Sequence, residues 1–98
     1  MRLLILIAAI AATTAHAAPA PSSATLAAPA RSASIVTAGG LWHCDGAACT
    51  GLADARLGEA VAACTDLAAG AGRVATFTAA GYAFTDGDLK RCNRHVHG

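Results

Sequence analysis

Two cysteines flank a turn signal in residues 41–49, LWHCDGAAC. Cys44 and Cys49 bracket four residues that begin with Asp-Gly, a dipeptide typical of tight turns. A closed loop of this length brings two Cα atoms within the roughly 4.4–6.8 Å that a disulfide requires. The stretch therefore predicts a cross-linked loop. It also contains Trp42, the only tryptophan of the chain, which we expect to anchor the core.

The other two cysteines, Cys64 and Cys92, each fall on the apolar stripe of a predicted helix. Four cysteines allow three pairings, and the sequence does not choose rigorously among them. Because packed helices can bring their apolar stripes together, geometry favours Cys44 with Cys49 and Cys64 with Cys92. The chain-entropy model gives about 3.6 kcal/mol for the long loop and about 2.2 kcal/mol for the short one. The long cross-link is thus predicted to contribute more to stability.

Strand signals occur on both sides of a helical region. Residues 35–44 are rich in β-branched and aromatic side chains around a Gly-Gly pair, which predicts a hairpin. Residues 73–78 alternate in polarity, and an Ala-Gly turn connects this run to residues 82–84. We therefore expect one hairpin before the helical region and a second one after it.

Two helices are predicted from apolar spacing and capping signals. The first runs from Asp54 to Ala69, with Asp54 as its cap and Gly70 as its stop. Its predicted apolar face consists of Leu57, Val61, Cys64 and Ala68. Thr85 and Asp88 have the spacing of a capping box, which begins a second, short helix. The predicted apolar face of this helix consists of Leu89, Cys92 and Val96.

Together these signals predict the element order β-β-α-β-β-α, a small α+β domain held by two disulfides. The domain is predicted to span residues 35–98. So short a chain segment supplies few large apolar side chains, and its net stability would be marginal without cross-links.

The first 17 residues have the features of a secretory signal peptide. Arg2 provides a positive start, residues 3–12 contain only Leu, Ile and Ala, and Ala15 and Ala17 place small residues at the positions that the peptidase recognises. We predict cleavage after Ala17. The apolar run of roughly ten residues is too short for a membrane span, which needs about 20. No stable membrane span is therefore expected after cleavage.

Residues 18–34, APAPSSATLAAPARSAS, contain all three prolines of the chain and few large side chains. A segment of this composition buries too little apolar surface to offset the entropy of ordering it. It is predicted to be a flexible tether between the leader and the domain.

The charge balance excludes one class of function. The chain carries seven Lys and Arg residues against six Asp and Glu residues, a formal net charge of +1. A general nucleic-acid binder needs a strongly basic surface to neutralise phosphates. We therefore expect no nucleic-acid partner.

Metal binding is the alternative interpretation of the C-terminal segment. Cys92, His95 and His97 place one thiol and two imidazoles within six residues. Structural zinc sites usually have paired ligands at both ends of the site, and this chain does not show that spacing. An even number of cysteines in an exported chain favours disulfides instead. No catalytic and no cofactor-binding residues are predicted.

The cysteine framework resembles that of a family of short, exported bacterial proteins of unknown function. The residues that carry the resemblance are Trp42-x-Cys44-x-Gly46-x-x-Cys49, Cys64-x-x-Leu67-Ala68, Phe77 and Leu89-x-x-Cys92-Asn93. It covers about residues 42–93 and implies an envelope protein in which the four cysteines form the framework. The resemblance implies no activity, cofactor or partner.

These observations predict a small exported protein, periplasmic or secreted, with a non-enzymatic binding or structural role in the cell envelope. Its partner is expected to be another envelope protein or a ligand.

Overall fold

The computed structural model describes residues 19–96, which form one six-stranded antiparallel sheet and two helices. The strands are β1 (Ala20–Leu26), β2 (Ser34–Thr37), β3 (Gly40–Asp45), β4 (Ala48–Ala53), β5 (Val74–Ala79) and β6 (Tyr82–Ala83). The helices are α1 (Leu57–Ala71) and α2 (Asp86–Cys92). The predicted leader, residues 1–17, lies outside the described residues.

The α+β class and the two hairpins around α1 are confirmed, but the sheet contains two more strands than predicted. The strand order is β2-β3-β4-β1-β5-β6, and every neighbouring pair is antiparallel. The additional strands are β1 and β4. Both consist mainly of small residues, which give a weak hydrophobic pattern.

The prediction of a flexible tether over residues 18–34 is wrong for β1. This strand lies in the interior of the sheet, paired with β4 on one side and β5 on the other. Its side chains alternate, with Ser22, Ala24 and Leu26 buried and the residues between them exposed. Two neighbouring strands supply the hydrogen bonds and packing that its composition alone could not provide. The sheet therefore includes residues that precede Ile35, the predicted start of the domain.

Helix α1 begins and ends later than predicted. Arg56 is its N-cap and makes no side-chain capping bond, so Asp54 is not the cap. Gly72, with a φ of 126°, ends the helix two residues beyond the predicted stop at Gly70. The buried stripe is Ala60, Ala63, Cys64, Leu67, Ala68 and Ala71. Only Cys64 and Ala68 of the predicted face belong to it.

The capping box that begins α2 is confirmed. The Thr85 hydroxyl accepts a hydrogen bond from the Asp88 amide, and the Asp88 carboxylate accepts one from the Thr85 amide. At the other end of α2, the Asn93 side-chain amide bonds both the N–H and the C=O of Val74. The Asn93 side chain therefore satisfies both backbone polar groups of Val74, the first residue of β5, as a neighbouring strand would.

The core lies between the helices and the inner face of the sheet. Trp42 is fully buried, as predicted, and stacks on Phe77 with ring centroids 5.2 Å apart. Phe77 in turn contacts Phe84, with centroids 4.7 Å apart. The indole N–H of Trp42 donates to the carbonyl of Leu52 at 3.0 Å, so the ring buries no unsatisfied donor.

Both favoured disulfides are confirmed. Cys44 and Cys49 are directly opposite one another on β3 and β4, so the cross-linked loop is a β-hairpin. Cys64 on α1 is bonded to Cys92 on α2, with Cα atoms 5.3 Å apart. One bond therefore lies within the sheet and the other within the helical layer.

Neither helix within residues 19–96 is long and apolar enough to cross a membrane.

Candidate functional site

The sheet has one face packed against the helices and one face that no described element covers. We call the second surface the outer face. It is formed by the alternate strand residues whose side chains point away from the core, and all but the half-buried Thr78 are exposed. These residues are Pro21, Ser23, Thr25, Ser34, Val36, Leu41, His43, Asp45, Ala48, Thr50, Leu52, Thr76, Thr78 and Ala83.

An apolar row crosses the outer face from β2 to β1. Val36 lies opposite Leu41, and Leu52 lies opposite Pro21. Continuing the register of β3 and β4 by one side-chain repeat places Leu41 opposite Leu52. Val36 is 79% exposed, Leu41 61% and Leu52 42%. Large aliphatic side chains that are exposed and contiguous mark an interaction surface more often than isolated ones do.

Hydroxyl side chains make up most of the rest of the outer face. Thr50 lies opposite Ser23, and Ser23 lies opposite Thr78. Thr25 and Thr76 are also cross-strand partners, and their hydroxyl oxygens are 2.6 Å apart. Threonine is well suited to this position because its methyl group packs on the neighbouring strand while its hydroxyl stays available for hydrogen bonds.

The outer face carries almost no charge. Asp45 is its only carboxylate, and it contains no Lys or Arg; His43 is the one other titratable group among its residues. The remaining charged residues between 19 and 96 lie on the helices and the connecting loops. Depletion of charge is typical of the central part of protein interfaces.

A polar cluster on the helical side is formed by Tyr82, Asp88 and Arg91. The Tyr82 hydroxyl donates to one carboxylate oxygen of Asp88 at 2.8 Å, and Arg91 donates to the other at 2.7 Å. Hydrogen bonds from the Thr85 amide and from Tyr82 hold the pKa of Asp88 below its ordinary value. The bond to Asp88 also raises the pKa of Tyr82. These bonds fix the start of α2 and engage both carboxylate oxygens.

A second carboxylate is engaged in the same way before α1. Asp54 accepts hydrogen bonds from the backbone N–H of Arg56 and from its guanidinium, which lies 2.9 Å from Oδ2. The hydrogen bonds to Asp54 raise the pKa of the Arg56 guanidinium above its ordinary value. The pair therefore shapes the turn into the helix.

Two of the three alternative metal ligands, Cys92 and His95, lie within the described residues. The Cys92 sulfur is bonded to Cys64, so it is not available as a thiolate ligand in the disulfide-bonded protein. His95 is exposed in the turn after α2. His97 lies outside the described residues. Within residues 19–96 no three His, Cys, Asp or Glu side chains are placed to hold a metal ion.

The outer face was not predicted from the sequence. The signal available was the alternation of Pro21, Ser23 and Thr25 with smaller or apolar neighbours, which has the two-residue period of a strand. Its composition is that of a linker, and the apolar row becomes visible only when the register of four strands is known.

The fold and the outer face define a small, disulfide-stabilised α+β domain with one uncovered sheet face. The model of a family of unknown function, DUF8200, matches residues 5–94, and the chain belongs to this family. No curated protein and no solved structure matches the chain.

Proposed function

We propose that the protein is an exported, non-enzymatic binding module of the cell envelope that contacts a partner protein through its outer face. The observation that carries this proposal is the exposed apolar row that begins with Val36 and Leu41.

Export is supported by the leader features and by the disulfides. All four cysteines are paired, and none of them is free. Disulfides persist mainly in oxidising compartments outside the cytoplasm, which fits a periplasmic or secreted protein.

The chemistry of the outer face limits what the partner can be. Burying the apolar row removes aliphatic surface from water at roughly 25 cal/mol per Å². A highly charged partner would lose solvation without gaining an opposite charge, because Asp45 is the only charge on the face. We therefore propose a protein partner with an apolar, weakly charged contact surface and hydroxyl or amide groups around it.

A binding role is also supported by the state of the two buried carboxylates. Asp54 and Asp88 are both engaged by arginine side chains and by backbone amides. General acid–base catalysis needs a carboxyl group within hydrogen-bond reach of a substrate, and these two are already used in the structure.

Site-specific photo-crosslinking tests the proposed surface. A photoreactive amino acid replaces Leu41 on the outer face in one variant and Ala62, an exposed position on α1, in the matched control. In cells that produce the protein we expect a discrete adduct from position 41 and none from position 62. Adducts from both positions, or from neither, would contradict the assignment.

The captured partner is then identified by mass spectrometry, purified and titrated. Val36→Asp places a charge in the apolar row, and we expect it to weaken binding at least about tenfold. Trp42 fluorescence checks that the variant remains folded. Unchanged affinity of a folded Val36→Asp variant would refute the role of the outer face.

A further inference from the structure

We infer that the protein has a binding site for a small oxyanion, a phosphate or carboxylate group, between Arg31 and Arg73. The site is a cleft of about 230 Å³ beyond the C-terminal end of α1. Residues 27–31 form one wall, residues 71–73 form another, and Val96 closes one side. We call it the basic cleft. It shares no residue with the outer face and does not depend on the function proposed for that face.

Backbone hydrogen bonds fix the two walls of the basic cleft relative to each other. The Ala27 N–H donates to the carbonyl of Arg73 at 2.9 Å, and the Arg31 N–H donates to the carbonyl of Ala71 at 3.1 Å. The bonded residues of the two segments are 40 and 46 residues apart in sequence, yet these hydrogen bonds hold the segments together at both ends of the cleft. The Cα atoms of both arginines are therefore held in place before a ligand arrives.

One hydrogen bond to a backbone carbonyl orients each guanidinium. Arg31 Nη2 donates to the carbonyl of Ala69 at 3.0 Å, and Arg73 Nη2 donates to the carbonyl of Val96 at 3.3 Å. A guanidinium has five N–H groups in a planar fork, so most of its donors remain available to bind a ligand. Because each guanidinium is oriented before binding, its side chain loses less conformational entropy when a ligand binds.

Neither Arg31 nor Arg73 forms an ion pair within residues 19–96. The two ion pairs in that part of the chain join Arg56 to Asp54 and Arg91 to Asp88, and no acidic residue lines the basic cleft. The residues that line the basic cleft therefore carry a net charge of +2, while Asp86 lines a separate cleft with Arg73. An anion that binds there forms charge-assisted hydrogen bonds, which are roughly twice as strong as neutral ones.

The end of α1 does not cancel this positive charge. Carbonyls at a helix C-terminus carry partial negative charge when they lack donors. Here the carbonyls of Ala68, Ala69 and Ala71 accept hydrogen bonds from Gly72 N–H, Arg31 Nη2 and Arg31 N–H respectively. Because these carbonyls are satisfied, the remaining guanidinium N–H groups dominate the electrostatics of the cleft.

The walls restrict how polar the ligand can be. Ala27, Ala28, Pro29 and Val96 contribute mainly aliphatic surface. These residues offer few additional polar contacts, so a ligand with many polar groups would leave some of them unsatisfied. A single acidic group with two or three terminal oxygens matches the two planar forks.

Titration of the full processed chain by NMR tests the inference. Inorganic phosphate and acetate are added separately at constant ionic strength, with chloride as the reference anion. We expect saturable shifts of backbone amides in residues 27–31 and 71–73 with phosphate, acetate or both. The effective anion tells phosphate and carboxylate chemistry apart. Shifts that do not saturate, or that chloride reproduces, would overturn the inference.

Charge-matched variants separate the cleft from a general effect of net charge. Arg31→Gln and Arg73→Gln each remove one of the two forks, and each is expected to weaken binding about tenfold. Arg94→Gln removes the same charge from a residue that does not line the cleft, and it should leave the affinity within about twofold of the wild type. If Arg31→Gln does not fold, Arg73→Gln carries the test alone. Equal weakening by Arg94→Gln would also overturn the inference.

Discussion

Gly51 lies directly against the buried indole of Trp42. A Cβ atom on Gly51 would come within 2.6 Å of Cδ1 of the ring and closer still to Cγ and Cδ2. The ring cannot move away easily, because it stacks on Phe77 and donates a hydrogen bond to Leu52. The absence of a side chain at position 51 is therefore a condition for burying the only tryptophan.

Gly51→Ala is predicted to destabilise the protein by about 1–3 kcal/mol, the usual cost of overpacking a core. Denaturant unfolding followed by Trp42 fluorescence measures the change. Gly58→Ala is the matched control. Gly58 lies in the first turn of α1, and a Cβ atom at this position would meet nothing within 4 Å. The control should be neutral or stabilising by up to about 1 kcal/mol. A Gly51→Ala protein as stable as the wild type would contradict the packing described.

Removal of β1 is predicted to abolish folding. A chain that begins at Ile35 would lack the strand between β4 and β5, and the sheet would be divided into two parts. We expect such a chain to show the fluorescence of an exposed tryptophan and no cooperative unfolding. A chain that begins at Ala18, which corresponds to the predicted processed protein, is the control and should unfold cooperatively. Cooperative folding of the shorter chain would show that β1 is dispensable.

The two disulfides are predicted to contribute unequally. Replacing Cys64 and Cys92 by Ser should lower the melting temperature several degrees more than replacing Cys44 and Cys49, because the loop closed by the first pair is longer. Calorimetry of the two double variants under identical conditions measures the difference. Equal decreases would show that loop entropy does not set the contribution of these bonds.

The bond between Tyr82 and Asp88 gives a direct spectroscopic prediction. Tyr82 is the only tyrosine, so the phenolate absorbance reports this residue alone. Its pKa should lie above about 10 in the wild type and return toward that value in Asp88→Asn. Asp86→Asn, on the same helical turn, should leave the titration unchanged. An unshifted Tyr82 in the wild type would rule out the bond.

The same carboxylate predicts how stability depends on acid. The pKa of Asp88 is lower in the folded chain than in the unfolded chain, so its ionised form stabilises the fold. This contribution is complete above about pH 4 and is lost as the pH falls through the folded pKa. The difference in stability between the wild type and Asp88→Asn should therefore shrink as the pH decreases through that range. A difference that is independent of pH would contradict it.

Local chemistry was predictable from the sequence. The capping box at Thr85 and Asp88 depends on a spacing of three residues, and the cross-linked loop between Cys44 and Cys49 depends on a short segment with a turn dipeptide. That this loop joins two paired strands was not predicted. Such features are determined by neighbouring residues, so they can be read without knowledge of the tertiary structure.

Features that depend on tertiary contacts were not predictable in the same way. The buried stripe of α1 consists largely of alanine, whereas the prediction followed Leu57 and Val61, of which Leu57 is 41% exposed. Helix α1 buries its alanine-rich face because Ile35 packs closely against the helix. A Cβ atom on Gly70 would lie 3.0 Å from a methyl group of Ile35, so only small residues leave room for this contact. The basic cleft was missed for a similar reason, since Arg31 was assigned to a tether and Arg73 to a strand.

The position of β1 sets the order in which the chain can fold as it emerges. Of the described strands, β1 emerges first, and its partners on β4 and β5 follow 23–33 and 48–55 residues later. Strand β1 therefore stays unpaired on both edges until most of residues 20–79 have emerged. The residues of β1 are mostly small or carry hydroxyl groups. An exposed segment with few large apolar side chains has little tendency to aggregate, so we expect β1 to resist aggregation while it is unpaired. The linker-like composition of β1 protects the chain before it contributes to the sheet.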